Sequence, residues 1–150
     1  MTERDGWNAR IIEEFRTNEG RVGGPFTGVP IVLVHHVGRR SGTERVSPLA
    51  YLPGEAVGAG DDVVYVFASK AGAPTNPDWY HNLVSAGSAR IERGTPSGIV
   101  SEAVTVRELR GDERDTVYAV QAARVPGFAG YAAKAEGIRT IPVIELRRVV

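Results

Sequence analysis

An antiparallel β-barrel with helices packed outside is the fold class this sequence predicts, and three observations predict it. Short runs of β-branched and apolar residues are separated mostly by gaps of hairpin length. The element order reads helix, three strands, helix, two strands, two helices, strand, unlike the alternation of a parallel nucleotide-binding sheet. Runs 31–37 and 63–68 are apolar at successive positions, as strands covered on both faces are.

Each element follows from local pattern. Trp7, Ile11 and Phe15 recur every fourth residue, with Arg4, Arg10, Glu13 and Arg16 on other faces, so an amphipathic helix is expected over 5–19. Gly20 closes it near the C-cap. Strands are expected over 31–37, 45–52 and 63–68. Pro48 has no amide to donate, which places the second of these at an edge or a bulge. Asn76-Pro77 reads as a helix start, with Asn76 as N-cap and Pro77 in the first helical position, for a helix over 77–85. Strands 89–93 and 98–108 flank a Gly94-Thr95-Pro96 turn. A helix then runs from Gly111 to about 124, Pro126-Gly127 breaks it, a short helix covers 128–135, and strand 140–147 follows.

Composition narrows the function classes. A length of 150 residues suits one domain spanning 1–150. No apolar run approaches the roughly 20 residues of a membrane-spanning helix, and the charged N-terminus has no signal-peptide core. The absence of cysteine excludes disulfides, thiolate catalysis and cysteine-ligated metals. Formal net charge is zero, so no nucleic-acid partner is indicated. The reading is a cytoplasmic protein, and nothing in the pattern selects an oligomeric state.

Local charge says more than global charge. Gly38-Arg39-Arg40-Ser41-Gly42-Thr43-Glu44-Arg45 and Ala68-Ser69-Lys70-Ala71-Gly72-Ala73-Pro74 both combine small residues with cations where a strand-like run stops. Glycine permits positive φ and close approach, while Arg and Lys supply charge and donors for phosphate or carboxylate. In the first turn, successive amides can form an anion nest with Arg39 and Arg40 closing over it. Arg45, Ser47, Leu49 and Tyr51 then share one strand face, which sets Arg45 beside an apolar floor. A solvated hairpin would have the same composition. The second turn leads toward a helix N-terminus, where Ser69 and Lys70 add a hydroxyl and a cation. Two basic turns in so short a chain suggest one site for an extended anion. Trp79, Tyr80 and Leu83 read as an apolar helix face belonging to the core. His35 and His36 are adjacent on a strand and point to opposite faces, so they cannot chelate together, and no nucleophile-elbow motif is present.

Taken in order, these motifs resemble the deazaflavin-dependent nitroreductase family and its F420H2-dependent quinone-reductase-like members. The resemblance rests on Gly38-Arg39-Arg40-Ser41-Gly42, Arg45, Pro48-Leu49, Ala68-Ser69-Lys70, Gly72-Ala73-Pro74 and Pro77-x-Trp79-Tyr80-x-Asn82-Leu83. The opening Asn8-x-x-Ile11-Ile12-x-x-Phe15-Arg16-x-Asn18-x-Gly20 and the closing Arg139-Thr140-Ile141-Pro142-Val143 match as well. It implies a split β-barrel of the flavin-reductase or FMN-binding kind, α+β and mainly antiparallel, with packed outer helices. It also implies coenzyme F420, a deazaflavin with a phospholactyl-oligoglutamate tail, used in its reduced form F420H2.

Carried over by position, Arg39, Arg40, Ser41, Gly42, Thr43 and Arg45 would hold the phosphate and the start of the tail. Pro48, Leu49, Ala68, Ser69 and Lys70 would lie along the deazaflavin or its linker. Thr43 stands where members often have Lys, Ala71 where they usually have Gly, and His35-His36 where Thr is common. The implied activity is hydride transfer to a small electron-poor acceptor, a quinone, a conjugated enone or lactone, or a nitroaromatic. The same region of relatives lines the acceptor pocket with aromatics, so Phe128 and Tyr131 are candidates there. Ser69, Tyr131 or water would supply the proton. A non-catalytic F420-binding protein and an FMN oxidoreductase on the same barrel are the alternatives. The Trp7-Ile11-Phe15 stripe leaves contact with the inner face of the plasma membrane open beside packing on the barrel.

Overall fold

The computed structural model describes residues 3–149. Six antiparallel strands form a closed barrel: β1 (Ile31–Val37), β2 (Glu44–Pro53), β3 (Val63–Phe67), β4 (Ser88–Thr95), β5 (Gly98–Glu108) and β6 (Val143–Arg148). Around the barrel the order is β1-β2-β3-β6-β5-β4. Four helices accompany it: α1 (Glu3–Thr17), α2 (Asp78–Ala86), α3 (Gly111–Arg124) and α4 (Gly127–Ala135).

Period-two alternation divides the core into three compartments. Val32, Val34, Val64, Val66, Ile91, Val104, Ile144 and Leu146 fill the interior, with Trp79 and Leu83 of α2 packed among them. Trp79 is therefore a core residue, as the helical spacing indicated. On the outer face of β3 and β6, Tyr65, Phe67 and Val143 meet Val117, Tyr118 and Phe128 of the last two helices. On the outer face of β1, Ile31 and Leu33 meet Ile11 and Phe15 of α1.

Packing takes most of the α1 stripe. Phe15 is fully buried and Ile11 nearly so, each worth roughly 1.5–3 kcal/mol on burial. Trp7 remains 43% exposed, with Phe26 beside it and the Arg10 guanidinium over its ring at 5.7 Å. Arg16 clasps Glu92 of β4 through two bonds of 3.2 and 2.7 Å. Past the helix, a Cβ on Gly20 would lie 2.6 Å from Gly94 Cα, so two bare backbones meet there. Gly94 accordingly belongs to strand β4. The turn between β4 and β5 is Pro96-Ser97, one step later than the sequence indicated, with Thr95 opposite Gly98. Among the described residues no helix is long and apolar enough to cross a membrane.

The barrel is closed weakly at one place. All of Glu44–Ala50 in β2 pairs with β1, but β2 pairs with β3 only at Tyr51↔Val66, Leu52↔Tyr65 and Pro53↔Val64. Pro48 sits in the stretch paired on one side only, where its missing amide costs no ladder bond. Continuing the β2–β3 register would bring Leu49 toward Ala68 and Pro48 toward Ser69, but the strands pair no further and leave an open seam.

Two other boundaries moved for physical reasons. β6 begins at Val143 rather than 140, because Pro142 cannot donate, and only its carbonyl takes part, accepting the Ala68 amide at 3.0 Å. Pro77, not Asn76, is the N-cap of α2, and no side chain caps that helix. The Asn76 Oδ1 instead accepts from Arg139 Nη1 at 2.8 Å.

Candidate functional site

The seam ends at two turns that flank α2. The first, between β1 and β2, is a hairpin closed by Gly38 N–H to Thr43 C=O and Gly42 N–H to Gly38 C=O, both 2.9 Å. Gly42 at φ +71° supplies the left-handed step. Most amides of this turn are already used. Thr43 N–H donates to Ser41 Oγ at 3.2 Å and Arg39 N–H to Asn82 Oδ1 at 3.1 Å. What the turn presents is side chains, for Arg39, Arg40, Ser41, Gly42, Thr43 and Arg45 are all exposed. Among the described residues, Arg39, Arg40 and Arg45 have no carboxylate within ion-pair distance, although nine arginine–carboxylate pairs form elsewhere.

A buried polar relay fastens this hairpin to α2. Asn82 is buried, accepts from Arg39 N–H, and donates through Nδ2 to His36 Nδ1 at 2.9 Å. His36 Nε2–H then donates to Ser47 Oγ at 2.9 Å. That sequence of bonds needs a neutral imidazole. Burial pushes the His36 pKa below its usual value, and the nearby Arg45 charge pushes it the same way. The adjacent His35 faces outward and serves α1's side, with Nε2 2.6 Å from Glu92 and Nδ1 3.1 Å from Glu44.

The second turn is built differently. Ser69 is helical (φ −75°, ψ −38°), and Lys70 and Ala71 follow in the left-handed region at φ +45° and +54°. Ala71 is where glycine was noted as usual, and its conformation is the one glycine favours. Right-handed followed by left-handed residues turn successive amides toward one point, the geometry of an anion nest. Among the described residues, the Ser69, Lys70 and Ala71 amides have no acceptor, while Gly72 and Ala73 donate back to Ser69 and Lys70. In the first turn, among the described residues, the Arg40 and Ser41 amides are likewise without acceptors, just before the left-handed Gly42. Lys70 is exposed, and among the described residues its Nζ reaches only Thr75 Oγ1, at 3.3 Å.

Arg139 lies behind this turn. Its Nε donates to Ala73 C=O at 2.9 Å, Nη2 to Ser69 C=O at 3.0 Å, and Nη1 to Ala68 C=O at 3.0 Å and to Asn76 Oδ1. α4 packs over the turn so closely that a Cβ on Gly72 would stand 2.9 Å from Lys134 Cδ and 3.2 Å from Tyr131 C=O. Tyr131 turns its ring edge-on to Phe128, 5.2 Å between centroids, with its hydroxyl back beside Gly127. Ser69 is half-buried, and its hydroxyl has no partner in the described chain.

Comparison with known proteins places the chain in a family. The family model for F420H(2)-dependent quinone reductases matches residues 7–147. The chain belongs to this family. An F420H(2)-dependent quinone reductase of Mycobacterium tuberculosis (strain ATCC 25618 / H37Rv) is 32% identical over 81 residues, 53% of this chain and 50% of its own. The match thus spans about half the length of the first curated relatives. A second M. tuberculosis family member is 32% identical over 119 residues, 79% of this chain and 90% of its own. Among solved structures, an F420-H2 dependent reductase (FDR-A) aligns with TM-score 0.64 and 30% identity over 79% of this chain and 94% of its own. A solved domain-swapped dimer aligns with TM-score 0.66 and 28% identity over 96% of each chain. The haem storage protein HutZ of Vibrio cholerae, 12% identical with TM-score 0.57, shares the fold alone.

Proposed function

We propose that this chain binds coenzyme F420 across the β2–β3 seam and catalyses F420H2-dependent reduction of a quinone. Membership of the family supports the cofactor, and the names of the relatives support the acceptor class. One observation in the fold carries the reading: exposed cations without acid partners and a set of unpaired amides border a single open seam.

The residues fit the group. Arg39, Arg40 and Arg45, with Ser41, Gly42 and Thr43, hold the phosphate and the first part of the acidic tail. Lys70 and the amides of residues 69–71 complete that anion site from the other bank. Half-buried Pro48 and Leu49 border the ring along the seam and exclude water from one side, while Ala68, expected beside them, lies fully buried in the barrel core behind. When bound, the reduced deazaflavin supplies the hydride. The Ser69 hydroxyl, half-buried and without a partner among the described residues, would relay to the reduced acceptor a proton that solvent water replaces, with Tyr131 or water itself as the alternative donor. Tyr131, partly exposed, borders the acceptor from α4, and Phe128, buried against Phe67 and Tyr118, supports its ring from behind. No side-chain nucleophile takes part.

Fluorescence titration with oxidised F420, beside FMN, tests the cofactor, and stopped-flow oxidation of F420H2 by a quinone panel tests the reaction. Saturable, deazaflavin-selective binding with turnover is expected. Binding without turnover on any acceptor would leave a cofactor-binding protein, and preference for FMN would overturn the proposal.

A further inference from the structure

We infer that Arg139 is a positioning residue that sets the anion-receiving conformation of the 69–71 turn. This rests on the proposed cofactor reading for the identity of the anion, though not for the geometry. One guanidinium gathers three carbonyls, those of Ala68, Ser69 and Ala73, and the side chain of Asn76. The carbonyls come from both sides of Lys70 and Ala71, two non-glycine residues held at positive φ. Each such residue is disfavoured by itself, so the turn persists only where its surroundings over-determine it. Drawing the Ser69 carbonyl back toward Arg139 turns the following peptide so that its amide faces the other way. With the Ala68 and Ser69 carbonyls held behind, the Ser69 and Lys70 amides of the same peptide units face forward, the Lys70 carbonyl is taken by the Ala73 amide, and among the described residues the amides of 69–71 have no acceptor. Arg139 need not touch the ligand to act: it neutralises the carbonyl side of the turn and exposes the amide side.

The geometry also explains why the residue is arginine. Lysine carries the charge but not the planar fork that reaches three carbonyls at once. Asn76 belongs to the same device, because its Oδ1 fixes Nη1 while Nη1 also holds Ala68.

The test is an NMR titration of the full chain with inorganic phosphate, following the Ser69, Lys70 and Ala71 amides, beside a fluorescence titration with F420. In the natural sequence those three amides are expected to shift saturably. Arg139→Lys should keep the dispersed spectrum of the rest of the barrel, while both phosphate and F420 bind roughly tenfold more weakly. Asn76→Ala should weaken both in the same direction by a smaller factor, and serves if Arg139→Lys does not fold. Adding Ala71→Gly to Arg139→Lys should recover part of the loss, because glycine makes the left-handed step without support. A role confined to stability would lower the melting temperature and leave phosphate affinity of the folded protein unchanged. That result, or phosphate shifts elsewhere but not at 69–71, would overturn the inference. Phosphate binding at these amides without F420 binding would instead sink the cofactor reading and leave the role of Arg139 standing.

Discussion

The two turns at the seam differ in what they would offer the proposed anion. In the first, the Gly38, Arg39, Gly42 and Thr43 amides donate within the hairpin or to Asn82, which leaves the Arg40 and Ser41 amides among the described residues, and the exposed arginines would carry most of the binding. In the second, the carbonyls are tied back and the amides are free, so the backbone carries it with help from Lys70. Side-chain cations attract from a distance, adapt to a variable tail and are screened by salt. Amides fixed in a strained turn bind over a shorter range but lose little freedom on binding. One bank therefore supplies attraction and the other supplies position.

The link between α2 and the hairpin is where the comparison breaks most readily. Asn82→Ala would leave buried donors and acceptors at Arg39 and His36 without partners, and is expected to lower stability by about 2 kcal/mol in urea denaturation. The same relay has a pH signature. The His36 pKa is lowered in the fold, so as pH falls below about 6.5 the unfolded chain takes up the proton first. Stability is full above that pH and declines as pH falls from there through the folded-state value. The His36→Gln variant should show a flatter dependence between pH 7.5 and 5.5.

Next in size is the cation of the second turn. Lys70→Ala should weaken F420 binding roughly tenfold while slowing hydride transfer in the bound state much less, since it removes attraction to a non-reacting anion. Arg40→Ala should weaken binding by less, about threefold, and flatten its dependence on salt. A flat salt response in the natural sequence would remove the distinction between the banks. The smallest effect belongs to Ala71→Gly, which relieves a left-handed alanine and is expected to add about 0.5 kcal/mol in thermal or urea unfolding.

Much of this architecture was legible from pattern alone. β1, β5 and α3 fall at the positions their pattern and flanking breakers indicate, because β1 is an apolar run covered on both faces while β5 and α3 each bury one regular face. Pro48 marked the one-sided stretch of β2, since a residue without an amide can stand only where no ladder bond is required. What escaped was set by distant contacts. Gly94 looked like a turn residue because the Gly20 backbone that requires it lies on another element. Asn76 looked like a cap because the guanidinium that claims its side chain comes from residue 139. Nothing local to either turn reveals which amides its neighbours will consume, so two basic turns were legible but not which of their amides stay without acceptors. Likewise the pairing of Asn82 with His36 joins a helix to a strand that no spacing rule connects.

The most direct measurement compares affinity for F420 with affinity for the same deazaflavin stripped of its phosphate and glutamate tail. If both turns form one anion site, the tailed cofactor should bind at least about a hundredfold more tightly at low salt, as expected for two or more charge-assisted contacts. Equal affinities would mean that the ring alone is recognised, and would contradict the two-turn site.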